Sequence, residues 1–416
     1  MNKKGFISIS ALYSFFLVFC LLLVLIMTTY SDNRINFKMI KNDAKKWAYD
    51  KSTLKNRYET LPDNPIIKPP DDPSNPGTPD NPGTDPDPVI PDTPTVTNEG
   101  YKTVLINNGG GATTYEEAIS YINGKGRPSF NKISTSNEGM YSAMDNNGTS
   151  YYFRGAVDNN WVKYGINKNG YEMYWRIIRI NGNNSIRMIY AGTTAPTSSS
   201  RVAMTGSDTA IGTSSFNTSI TGSEYVGYMY EKGSQHNNSL NSTIKTKIDN
   251  WFETTSLKND SNVYGAMFCS DRSTSSSTWS SKPASNLIFN GNMRTTSSSP
   301  YPNLWCESNS DMLTSRGGKL IYPVGLITAD EIIMAGGHVS LANSNYYLYS
   351  GISYYTMTPS YVAKGPAPYV FTMNYTGYIT STKVNTISYI RPVINLNSSV
   401  KFTGTGTYND VYEVAE

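Results

Sequence analysis

The chain has 416 residues, a formal net charge of +3 and only 16% charged residues, which excludes the strong basic field that nucleic-acid binding draws on. Its 32 tyrosines and 12% aromatic content can supply a core and exclude a wholly disordered chain. Beyond an anchor and a linker, about 315 residues remain, enough for one large or two ordinary domains.

In chain order, the first feature is residues 1–31. Lys3 and Lys4 precede an apolar run that reaches Met27, and the next charge is Asp32. As helix, residues 6–31 would extend roughly 39 Å, more than the roughly 30 Å of bilayer hydrocarbon. A cleaved secretory signal has a shorter apolar stretch and a small-x-small exit, which Thr28, Thr29, Tyr30 and Ser31 do not form. Residues 6–31 are therefore expected to be a retained transmembrane helix and the contact with the membrane.

The start, Lys3-Lys4-Gly5-Phe6-Ile7, resembles the class III leader of type IV pilins and pseudopilins. The resemblance implies processing between Gly5 and Phe6 by a prepilin peptidase, methylation of Phe6, and pilin-like subunits as partners. Family members carry Glu five residues into the mature chain, where this chain has Ser10. A buried Glu there would neutralise a neighbouring subunit's amine in a low dielectric. Ser10 points to a minor pilin-like subunit or a plain single-pass anchor rather than a bulk fibre subunit. Arg34, Lys38, Lys41, Lys45 and Lys46 outnumber Lys3 and Lys4, which by itself favours the C-terminal part inside. The leader and the linker favour outside. The expected location is a bacterial cell membrane, single-pass, with the C-terminal domain extracellular.

Residues 32–61 are expected to continue as a helical stalk. Phe37, Ile40, Ala44, Trp47, Leu54, Tyr58 and Leu61 follow 3-4 spacing, and such a stripe packs against something. Other pilin-like helices, the chain's own domain and the membrane surface all satisfy it. Residues 62–97 are a linker, with twelve prolines between Pro62 and Pro94 and seven Asp against one Lys. Proline fixes φ and removes donors, so the segment reads as extended polyproline II, roughly 100 Å long at about 3.1 Å per residue. It suits a semi-rigid stalk that crosses a wall, and equally an ordinary interdomain linker.

Residues 98–416 are expected to fold as an extracytoplasmic α+β, mostly β domain. Residues 174–180 and 185–190 flank Asn181-Gly182-Asn183-Asn184 and predict a β-hairpin. Leu240, Ile244, Ile248, Trp251 and Phe252 predict a helix over 241–254. Residues 270–281 are Ser/Thr-rich and read as a surface loop. Thr328-Ala329-Asp330-Glu331 reads as a capping box opening a short helix that Gly336-Gly337 ends. Strand-like runs follow at 346–348, 353–357, 369–373, 378–380, 388–396 and 410–414.

The chemistry-bearing residues are few. Cys20 lies in the anchor, and Cys269 and Cys306 in the outer domain. Outside the cytoplasm the last two are a candidate disulfide; two buried free thiols or a metal pair are the alternatives. His236 and His338 have no metal-ligand spacing, no Gly-x-Ser-x-Gly elbow is present, and no cofactor motif appears. Adjacent Asp330 and Glu331 read as helix caps rather than a glycosidase pair. Asp145-Asn146-Asn147-Gly148 reads as a turn rather than a calcium loop, and Gly109-Gly110-Gly111 as a flexible run without the Lys of a phosphate loop. Tyrosines 346, 347, 354, 355, 361, 369, 375 and 378 serve either as sheet core or as a recognition surface.

A second resemblance rests on the order of Trp175-Arg176-Ile177-Ile178-Arg179, the Trp251-Phe252 helix, Pro323 to Glu331, Tyr355 to Pro359, and Arg391-Pro392-Val393 to Leu396. It is similar to an uncharacterised surface-domain family (DUF6273-like) of Gram-positive gut-type bacteria, and distantly to the C-type-lectin/formylglycine-generating-enzyme fold. The catalytic cysteine pair of the formylglycine enzymes is not matched, so that activity does not carry over. The resemblance implies a binding scaffold with exposed loops on a β core. The expected function is a non-enzymatic adhesin or ligand-binding domain for a glycan or protein, on a pilin-like anchor. A cell-wall or glycan-acting enzyme and a structural minor pseudopilin are the alternatives.

Overall fold

The computed structural model describes residues 99–198, 204–275, 278–315 and 319–415. The expected anchor, helical stalk and linker, with the Gly5/Phe6 junction, lie outside them. The long strands are β1 (Asn137–Asp145), β2 (Gly148–Gly155), β3 (Trp161–Ile166), β4 (Glu172–Ile180), β5 (Ile186–Gly192), β6 (Tyr354–Ala363), β7 (Ala367–Met373), β8 (Ile379–Lys383), β9 (Val393–Leu396) and β10 (Tyr412–Val414). The helices are α1 (Gly100–Asn107), α2 (Tyr115–Gly124), α3 (Thr243–Glu253), α4 (Asn290–Thr296) and α5 (Ala329–Met334). The domain is α+β and mostly β. Among the described residues no helix is long and apolar enough to cross a membrane.

The first sheet has eight strands and branches at β4. One edge of β4 pairs with β2 at Ile180 and Arg179 and with β3 from Arg176 to Glu172. Its other edge pairs with β5, which pairs onward with β9. From β3 the sheet continues through β10 to the short strand Phe402–Thr403. The β4 and β5 strands are buried almost end to end, so both faces are covered, and their β-branched and aromatic residues suit that position. The second sheet is β8-β7-β6, extended by Ser388–Tyr389 and Thr213–Ser214, with Leu287–Ile288 on the far end of β6. Pro359 stands within β6, and the register slips on both sides of it, as a strand proline requires. One apolar core joins both sheets and the helices α1, α2, α3 and α5.

The 174–190 hairpin forms, with a five-residue connection. Asn181 N–H bonds to Ser185 O at 2.9 Å, and Asn184 takes φ 64°, the left-handed region that Asn tolerates. The α3 helix starts two residues later and ends one earlier than the expected 241–254, and it is capped by Ser242, whose hydroxyl accepts from Lys245 N–H. Thr328 and Glu331 form the reciprocal capping box of α5.

Two strand expectations are corrected. Residues 346–348 form no strand; Tyr346, Tyr347 and Leu348 are buried in a turn where Tyr347 N–H bonds to Gly155 O at 3.1 Å. The run 388–396 splits into Ser388–Tyr389 and β9, because Pro392 has no N–H to continue a ladder. The buried Arg391 holds the break by donating to Tyr190 O and Leu348 O, both at 3.0 Å. The α1 and α2 helices were not expected. The signal for α2 was present in Thr114 and Glu117, which form a capping box. Gly109-Gly110-Gly111 joins the two helices; Gly110 has φ 68°, and a Cβ there would stand 2.5 Å from the Tyr121 ring.

Candidate functional site

Antiparallel pairing sets Lys163 of β3 opposite Tyr174 of β4, parallel pairing sets Glu413 of β10 opposite Lys163, and Thr403 faces Glu413. Directly opposed residues share a face, so Thr403, Glu413, Lys163 and Tyr174 form one row across the sheet. The neighbouring row of Trp175, Val162 and Tyr412 points into the core and is fully buried. In the outward row Lys163 Nζ lies 2.8 Å from Glu413 Oε1 and 3.3 Å from Glu172 Oε1. The hydrogen bond to Glu413, with that to Glu172, raises the Lys163 ammonium above its ordinary value.

Two grooves meet on this ion triad. The first, about 330 Å³, has the row as its floor and the 404–411 loop as one wall, with Tyr408, Asn409 and Asp410 at its rim. The second, about 320 Å³, shares Lys163 and Glu413 and runs past Ile166, Glu172, Asp260 and Asn262. Each is of the size that small ligands fill. The 404–411 loop is pinned down by Trp161 N–H donating to Gly406 O at 2.9 Å. Gly406 has φ 79°, and a Cβ there would meet Asn159 O at 2.6 Å, so the tight approach requires glycine. Beneath the loop, Trp161, Tyr174 and Ala191 pack with Met204 and Val411 as a small separate cluster. The Trp161 indole N–H is buried there without an acceptor among the described residues. In the second groove Tyr164 donates its hydroxyl to Asp260, and burial followed by that carboxylate pushes the phenol far up.

The other candidate residues sit elsewhere. Cys269 and Cys306 are joined in a disulfide, with Cα atoms 5.5 Å apart. Beside it lies an interior cavity of about 30 Å³, lined by Arg187, Arg294, Asp271, Asp330 and Glu331 among others. That is room for a water or two, and Arg187 Nη1 has no partner among the described residues. Asp330 pairs with Arg294 at 3.0 Å, and Glu331 takes Arg179 at 2.9 Å and Arg187 at 2.6 Å. Burial alone would raise the Glu331 carboxyl, but the Arg187 and Arg179 guanidinium groups overcome it and hold it at about 2. A glycosidase general acid needs the opposite shift.

Asp145 is spent on Arg179 at 3.0 Å, on Ser150 and on the Gly182 and Asn147 N–H groups, which makes its loop a turn tied to the hairpin. His236 Nδ1 is 2.8 Å from the buried Asp311, which also holds Arg272. His338 Nδ1 accepts from Ser340 N–H, and burial lowers its pKa. Among the described residues no group of three or more His, Cys, Asp or Glu is placed to hold a metal. Tyr346, Tyr347, Tyr354 and Tyr355 are core, whereas Tyr361 and Tyr369 are half-buried and stacked at 4.4 Å between centroids, and Tyr375 is exposed. The expectation of tyrosines as a recognition surface named the second sheet; the groove tyrosines 174 and 408 were not singled out. Comparison with family models, with curated proteins and with solved structures finds no match for this chain.

Proposed function

We propose that the chain is a membrane-anchored, surface-displayed, pilin-like protein whose β-rich domain binds a carbohydrate through the paired grooves astride Lys163 and Glu413. The observation that carries the binding reading is the first groove. It is ligand-sized, open, floored by Tyr174 and rimmed by Tyr408, Asn409 and Asp410. Tyrosine faces stack on sugar rings, and side-chain amides and carboxylates bond to hydroxyls. The groove stands on a sheet face whose opposite side is solid core, so its walls are held in place before any ligand arrives.

The anchor and display belong to the same reading and rest on the Lys3-Lys4-Gly5-Phe6 leader, the apolar run after it and the proline-rich linker. A lectin-like character for the domain is part of the proposal too. Its support is the order of the capped helix α5, the strands β6 to β8 and the terminal Arg391-to-Leu396 segment. A glycan array probed with the full chain in detergent micelles tests the binding. Selective retention of one glycan class is the expected result; a silent array contradicts it. Mass spectrometry of the mature N-terminus tests the leader, where an intact Met1 would contradict cleavage between Gly5 and Phe6.

A further inference from the structure

The charge of the paired grooves narrows the ligand. Their charged lining is Lys163 on one side of the balance and Glu172, Asp260, Asp410 and Glu413 on the other. The single cation is already bracketed by Glu172 and Glu413. Glu172 and Glu413 keep 56% and 49% of their side chains exposed, so their carboxylates still face the solvent of the groove. Asp410 makes no ion pair among the described residues, and Tyr408 stands beside it with 37% of its surface exposed. A tyrosine face next to a carboxylate attracts a cation twice over, through its quadrupole and through charge. Asn409, exposed at the same rim, carries a side-chain amide that suits a hydroxyl rather than an ammonium. A ligand that carries both hydroxyls and amines meets Asn409, Tyr408 and the carboxylates. The two grooves adjoin at Lys163, which suits several linked rings better than one.

Resting on the carbohydrate reading above, we infer that the paired grooves take an amino-sugar oligomer with free amines in preference to its N-acetylated form. Acetylation removes the positive charge and adds a methyl for which neither groove has a closed apolar pocket.

Calorimetric titration of the full chain in micelles with hexameric glucosamine and hexameric N-acetylglucosamine tests this directly. The free-amine hexamer is expected to bind at least tenfold tighter at low salt. That preference should shrink severalfold at high salt, because charges exposed to solvent are screened. The variant D410N/E413Q, altered only at exposed side chains, is expected to keep the wild-type unfolding midpoint and lose most of the preference. Equal or tighter binding of the acetylated hexamer overturns the amine assignment while carbohydrate recognition stands. A preference unchanged in D410N/E413Q overturns the grooves as its origin. Binding of neither hexamer, with the glycan array still positive, overturns the amino-sugar class alone. Capture of a polylysine peptide with a silent array overturns both readings.

Discussion

Glu331 is fixed by two arginines that lie 152 and 144 residues away in the chain. Its local role as the third residue of a capping box was legible from Thr328 onward; its arginine partners were not, because no local pattern links them. The folded carboxyl sits at about 2 against an ordinary 4.5, so its stabilisation is complete above pH 4.5 and is lost as the pH falls towards 2. The shift corresponds to roughly 3 kcal/mol. Glu331→Gln is expected to lower stability at neutral pH by about 3–5 kcal/mol, since two buried guanidinium groups lose a counter-charge. Urea unfolding across pH 2–7 checks it: the variant should also show a flatter dependence below pH 4.5. An unchanged midpoint would mean that Arg179 and Arg187 are satisfied without it. The Cys269–Cys306 bond is the other residue-scale feature. Its cysteines are 37 positions apart, and chain-entropy arguments give the closed loop roughly 4 kcal/mol. The double variant C269S/C306S is expected to lose about that much in urea, and a loss below about 1 kcal/mol would contradict the estimate.

At the scale of elements, α3 shows what periodicity reveals and hides. Of Leu240, Ile244, Ile248, Trp251 and Phe252, read as its inner face, Ile244, Ile248 and Phe252 are fully buried, Trp251 is half-buried, and Leu240 precedes the helix and is exposed. The same face also buries Lys245 and Asp249, which pair at 2.5 Å. Charged residues four apart on a helix are ordinarily a solvated pair, so the pattern gave no hint of burial. Burial raises the Asp249 carboxyl despite Lys245, and its Oδ1 has no partner among the described residues. Asp249→Ala is therefore expected to cost about 3–5 kcal/mol by stranding the ammonium, whereas K245M/D249L is expected to be neutral or stabilising. Thermal unfolding of both variants decides it; equal losses would mean that the pair is not dry. The edge strand β1 offers a second case. Lys125 donates to the carbonyls of Glu138 and Met140 and lies 4.0 Å over the Tyr141 ring, which blocks strand addition there. Lys125→Ala is expected to associate with rising concentration in analytical ultracentrifugation, and a strictly monomeric variant would contradict that role. The two corrected strand readings have different causes. The aromatic run at 346–348 reads as strand, but a turn can bury tyrosines as fully; the β-branched run at 388–396 reads as one strand, but Pro392 interrupts the ladder.

At the scale of the molecule, the mostly β class was legible, as was the loop character of residues 270–275 and 278–281 around a short bridge at Thr274, although Ser270, Asp271 and Arg272 are buried rather than at the surface. The groove was not. Its floor joins β3 and β4 to strands some 240 positions later, and its wall is a loop whose glycines and Asn409-Asp410 look like any turn. Only the pairing of β10 beside β3 brings Tyr174 and Tyr408 into one cleft. Binding through this cleft is the central claim of the proposed function. It is tested most directly by titrating the best-retained array glycan against the full chain and against Y408A/N409A, with unfolding midpoints measured alongside. The expected result is an affinity loss of at least tenfold, about 1.4 kcal/mol, at an unchanged midpoint. Equal affinity in the variant would place the ligand elsewhere and contradict the groove as the binding site.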